Sequence, residues 1–206
     1  FGGLAGGLLA ARLRRPLVLY GLTELAVAVA ALLVPLGFRW MDGAYRSAYD
    51  VSSAGQHTLM RLLLTLAVVT PVTFLMGLTL PFLTRYLVTS MRTAGARMGG
   101  LYSANTLGAM AGSLVSGFIL IELLGLSTTM HVAVGLNLLA GTIALVLAAQ
   151  RRGAGLPEMV GGDDGEVALP VRRIRVLIYA ASFVSGFVAL SLEVLWTRMI
   201  AEGTGS

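Results

Sequence analysis

The chain contains no cysteine and no lysine. Without thiols it can form no disulfide, no thiol nucleophile and no Cys-ligated metal site. Charge of either sign is scarce. Asp, Glu, Lys and Arg make up 12% of the 206 residues, roughly half the share usual for a soluble domain. The two histidines, His57 and His131, stand alone with no second ligand at metal spacing. No metal site is therefore expected, and no cofactor. All 15 basic residues are arginine, and the formal charge is +5. A basic surplus can signal nucleic acid, but these arginines fall in short clusters between apolar runs. Orientation in a membrane explains that pattern better, and no nucleic-acid partner is expected.

What the chain has in abundance is apolar sequence. Hydrophobic residues make up 56% and the mean hydropathy is +0.83, which points to a bilayer as solvent. Residues 1–11 resemble the end of a membrane helix, closed by Arg12, Arg14, Arg15 and Pro16. Further spans are expected at about 17–37, 61–84, 99–121, 127–149 and 175–200. Each is about 20 residues long, enough for roughly 30 Å of hydrocarbon. A polar stretch at 38–59 carries Trp40, Tyr45 and Tyr49, which suit a headgroup-level aromatic belt. A tight turn is expected around Gly125, and a hydrophilic linker at 150–174. Pro35, Pro71 and Pro81 interrupt spans, where proline kinks a helix without ending it. By span count most arginines lie on one side, with only Arg39, Arg46 and Arg61 on the other. The arginine-rich side, linker included, is expected to be cytoplasmic.

The predicted fold is an all-α polytopic transmembrane helix bundle with five full spans and one partial span. Residues 1–149 hold the partial span and four full ones, and 175–206 hold the last helix. A chain that begins at Phe1 inside one apolar run and stops just after another reads as part of a longer protein.

Within the 99–121 span, Ala104, Gly108, Gly112 and Ser116 recur every four positions, with Asn105 on the same side and Tyr102 at its border. Such a stripe lets another backbone approach closely, and predicts a helix-packing seam. Asn105 either bonds a neighbouring helix or, with Tyr102, lines a pathway. Three charges fall inside spans: Glu24, Glu193 and Arg198. A charge at mid-bilayer costs at least about 2.5–3.5 kcal/mol, so each needs a partner or a role. Arg198 can snorkel to the interface. Glu24 and Glu193 should differ in depth by about 10 Å and so do not form a carboxylate pair. Each is read either as a site for a cationic substrate or proton, or as a structural or protonated, silent acid.

Four strings carry a family resemblance: "GGLAGGLLAARLRRP" at 2–16, "MGLTLPFLTRYLV" at 76–88, "LYSANTLGAMAGSLVSGFILIELLGL" at 101–126 and "SGFVALSLEVLWTRMI" at 185–200. Together they resemble the membrane-embedded half of fused major-facilitator-like/spermidine synthase-like proteins. The resemblance implies a major-facilitator-like bundle running from the second helix of one half to the first helix of the next. Its partners are then the bilayer, in a bacterial inner (plasma) membrane, and the rest of the same polypeptide. That remainder is expected to include a cytosolic aminopropyltransferase-like domain, so this chain alone should have no catalysis. "VGGDDGEVALP" at 160–170 echoes the Gly-rich loop of such domains, but no apolar strand precedes it and no helical pattern follows. Solvated linker is the better reading of Asp163, Asp164 and Glu166. Three functions stay open: a bundle that moves polyamines or other cations, a membrane anchor that positions the absent domain, and a structural or lipid-handling membrane domain with no transport.

Overall fold

The computed structural model describes residues 1–13, 15–48, 54–88, 91–153 and 172–203. Those residues are helical almost throughout, with no strand among them. The helices are α1 (Gly2–Arg12), α2 (Pro16–Ala48), α3 (Ala54–Leu87), α4 (Met91–Val115), α5 (Ile121–Gly153) and α6 (Arg172–Gly203), with one π-helical turn at Ser116–Leu120. Four helical stretches are long and apolar enough to cross a membrane: Pro16–Tyr45, Gln56–Leu87, Thr93–Arg151 and Arg173–Ala201. The third, at 59 residues, is twice the length the others need, and Gly125 breaks it.

Gly125 has φ 77° and ψ 169°, a conformation essentially reserved for glycine. The path of the chain reverses there. Before it, Gly100, Gly108 and Gly112 approach Tyr179, Phe183 and Phe187 in turn, so α4 runs parallel to α6. Beyond it, Met130 and Ala133 share a cluster with Leu195 and Trp196, while Ala144 shares one with Ile178, so α5 runs antiparallel to α6. An alanine at this position should cost about 1–3 kcal/mol. A denaturant or dodecyl sulfate titration of Gly125→Ala reads that loss directly.

The remaining contacts fix the order of the bundle. Gly2 and Gly6 of α1 lie against Gly77 and Leu78 of α3, which makes those helices parallel. Gly37 of α2 meets Val68 of α3, and Tyr20 clusters with Leu83 and Leu87, so α2 and α3 are antiparallel. These directions carry Arg12, Arg85, Arg97, Arg151 and Arg175 to one end of the bundle. Arg97 donates to the Leu87 carbonyl there at 2.9 Å, and Arg151 lies 5.5 Å over the Tyr86 ring. Arg39, Arg61 and Arg198 lie at the other end, where Arg61 sits 4.4 Å over the Tyr45 ring.

Several helix ends differ from those read in the sequence. α2 continues to Ala48 and α3 begins at Ala54, through much of the stretch expected to be polar loop. Hydropathy marks where lipid ends, whereas a helix ends only where its backbone bonding is interrupted, and 38–48 contains no proline. α4 begins at Met91, α5 runs to Gly153 and α6 begins at Arg172 for the same reason. Tyr49, the linker residues 154–171 and the "GGDDGE" segment lie outside the described residues.

The outer face of the bundle is apolar. On α2, Leu22, Val29, Leu33 and Leu36 are exposed while Tyr20, Val27, Ala28, Ala31 and Val34 are buried. So large an exposed apolar surface is compatible with an integral membrane protein and not with a water-facing monomer.

Candidate functional site

Two apolar clusters make up the core. One gathers Val27, Ala31, Val134, Val188 and Leu192; the other gathers Leu17, Tyr20, Leu83, Ala144 and Ile178. Between them, along three different helices, the sequence turns polar: Glu24 between Tyr20 and Val27, Asn137 between Val134 and Ala144, Ser182 and Ser185 between Ile178 and Val188. All four side chains are buried, as is Thr79 of α3. The bundle therefore holds a polar layer sandwiched between two hydrocarbon cores.

Glu24 is the charged member and is only 1% exposed. Its position on α2 puts it one turn beyond Tyr20, on the same face. Its carboxyl lies beside the hydroxyls of Tyr20 and Ser185. Each of these hydroxyls has a single proton and a second acceptor that competes for it. Tyr20 donates to the Ala181 carbonyl at 3.2 Å. Ser185 donates to Thr79 Oγ1 at 3.1 Å, and Thr79 donates onward to the Met76 carbonyl at 2.8 Å. The Oε1 atom of Glu24 is buried and makes no hydrogen bond. A hydroxyl has one proton, so Tyr20 and Ser185 can each satisfy the carboxyl only by giving up the other acceptor. The site is rich in oxygen acceptors and short of positive charge. A proton or a cation would complete it, since an isolated carboxylate in such surroundings is costly.

A cavity of about 290 Å³ adjoins the layer, with Thr79, Asn105 and Ser185 among its lining residues together with Gly77 and Ala189. Ser185 thus faces both the Glu24 carboxyl and the cavity, and its partner Thr79 lines the cavity beside it. Asn137 lies within about one turn of this level on α5, because Gly141 packs against Gly21 and Leu25 of α2. The Asn137 Nδ2 atom is buried and unbonded.

The other residues singled out in the sequence fall elsewhere. Glu193 is exposed on α6, and its carbonyl accepts from Thr197 at 2.8 Å. It lies eight residues beyond Ser185, about 12 Å along the helix axis, so it is not part of the Glu24 layer. Arg198 is exposed as well. Tyr102 is 65% exposed and is not among the residues lining the cavity beside Asn105. Gly108 and Gly112 are buried against the Phe183 and Phe187 backbone, and Ala104 is half-buried. Ser116 is fully buried at the start of the π turn with its hydroxyl unbonded. Across this seam Ser182 donates to the Leu101 carbonyl at 2.9 Å, and Ser191 donates to Gly112 at 3.3 Å and to Phe187 at 2.7 Å. His57 bonds Tyr45 at 3.1 Å and His131 contacts the Ser127 carbonyl at 2.7 Å. No group of three His, Cys, Asp or Glu that could hold a metal occurs among the described residues.

Tyr20, Thr79, Ser185 and Asn137 were not candidates in the sequence. Serine and threonine in membrane helices usually bond their own backbone, as Thr23 does to Leu19 at 2.8 Å, so nothing marks Ser185 out. Asn137 carried a usable signal, as the lone amide in an otherwise apolar span. No family model, curated protein or solved structure matches the chain.

Proposed function

We propose that this chain is a carrier-type membrane bundle that binds a cation, either a proton or an organic cation such as a polyamine, in the polar layer at Glu24. The observation that carries this reading is the donor shortage at Glu24: a buried carboxyl with an unbonded oxygen, whose two neighbouring hydroxyls each have a competing acceptor. The adjoining cavity gives a ligand room to reach Thr79 and Ser185. Small-residue seams and proline-bearing helices suit a bundle whose helices shift against one another. The resemblance to fused major-facilitator-like/spermidine synthase-like proteins supports a polyamine as the organic cation. It also supports a bacterial inner membrane as the location, and the arginine bias supports a cytoplasmic arginine-rich end.

The second reading is a non-transporting anchor for an aminopropyltransferase domain. It is favoured by the near-complete burial of Glu24, which seals that carboxyl within the helices. Equilibrium binding of labelled spermidine and putrescine to the protein in nanodiscs separates the two. The carrier reading expects saturable binding that Glu24→Gln removes and Glu193→Gln retains. Binding absent in the wild type excludes a polyamine and leaves the proton, which uptake measurements test; binding equal in all three proteins favours the anchor.

A further inference from the structure

At the arginine-rich end a second cavity, of about 520 Å³, lies between α1, α3 and α4. Its walls are apolar, including Gly7, Ala11, Leu80 and Met98, and its polar lining is Thr84 and Arg85. Gly7, Ala11 and Met98 are exposed, so the groove opens on the apolar outer face of the bundle. Arg85 is half-buried, and its Nε is hidden from solvent and makes no hydrogen bond. An unsatisfied donor on a permanent cation is expensive and calls for an anionic acceptor. The cations nearby add to that demand: Arg12 closes α1 just after Ala11, and Arg97 caps α3 through the Leu87 carbonyl.

The geometry points to a binding site for one anionic phospholipid, with an acyl chain in the groove and the headgroup phosphate accepting from Arg85 and Thr84. The volume is that of a small-molecule site, too small for a helix. The lining is wrong for a free anion, which would leave the Gly7, Leu80 and Met98 wall unused. Basic pockets between helices at the cytoplasmic end of a membrane protein are where anionic headgroups are expected. This groove meets the cavity beside the Glu24 layer only at Leu80 and Pro81, and none of Arg85, Thr84 and Gly7 belongs to that layer, so the site stands or falls independently of the cation-binding reading.

The test is native mass spectrometry of the protein released from a neutral detergent after titration with phosphatidylglycerol or phosphatidylcholine of the same chains. One phosphatidylglycerol should be retained in preference to phosphatidylcholine. Arg85→Gln should weaken that retention about fivefold, the loss of one arginine–headgroup contact, and Arg85→Lys should keep most of it. Gly7→Leu tests the tail separately. A Cβ at Gly7 meets open space, so the fold should tolerate the new side chain. That side chain should block the groove and lower phosphatidylglycerol retention with Arg85 intact. Equal retention of the two lipids, a preference unchanged in both variants, or competition by inorganic phosphate alone would overturn the proposal.

Discussion

Gly108→Val is expected to separate α4 from α6 and cost about 3 kcal/mol or more, the upper range for overpacking a close contact. A Cβ built on Gly108 collides with the Phe183 carbonyl oxygen, and one on Gly112 collides with that of Phe187. On the facing helix, a Cβ on Gly186 collides with the Asn105 carbonyl. The obstacle is backbone in each case, which cannot rotate aside as a side chain can. Opening the seam would also break the Ser182–Leu101 and Ser191–Gly112 hydrogen bonds that cross it. In lipid, where water does not press helices together, those contacts are what holds α4 to α6. Gly95, Gly99 and Gly135 provide the internal control, because an added Cβ there meets nothing within 4 Å. Alanine at those positions should be neutral or stabilising by up to about 1 kcal/mol. Unfolding midpoints in mixed micelles distinguish the two sets. Equal midpoints for Gly108→Val and Gly99→Val would show that no tight seam exists.

Glu24→Gln should separate binding from stability. Removing the carboxylate charge is expected to weaken cation binding by about thirtyfold or more, roughly 2 kcal/mol for a charge-assisted contact. The fold should not suffer. Glutamine has almost the same shape, and its amide brings two N–H donors to a site where the Tyr20 and Ser185 hydroxyls can each accept while keeping their other bonds. Its unfolding midpoint should therefore match or exceed that of the wild type, the trade-off expected where a site is kept strained for function. Glu24→Ala should behave differently, losing binding and about 2 kcal/mol of stability to the cavity it leaves. A Glu24→Gln protein that loses stability along with binding would mean that the carboxyl serves the fold rather than a ligand.

The sequence showed the seam and the buried acid more clearly than the site built around them. Gly108 and Gly112 repeat at the helical period, and a glutamate in an apolar span is rare enough to stand out. The partners of Glu24 are a different matter. Ser185 meets Thr79 across 106 positions of sequence and Tyr20 meets Ala181 across 161. Pairings between ordinary residues so far apart leave no local pattern to read. Glu193 drew attention through the same rarity argument as Glu24, yet the two differ completely in burial. Periodicity places a residue on a face, but which face meets which helix is settled by tertiary packing. The ends of α2 and α3 show the matching limit for hydropathy, since the helices run on past the residues that lipid would cover.

Uptake into proteoliposomes tests the central claim most directly. The protein is reconstituted as wild type and as Glu24→Gln, and entry of labelled spermidine, putrescine and protons is followed with and without a pH gradient. A carrier acting through the Glu24 layer predicts saturable uptake of one of these cations by the wild type and its loss in the folded Glu24→Gln protein. Uptake that survives the substitution, or no uptake of any of the three by correctly folded wild type, would contradict it.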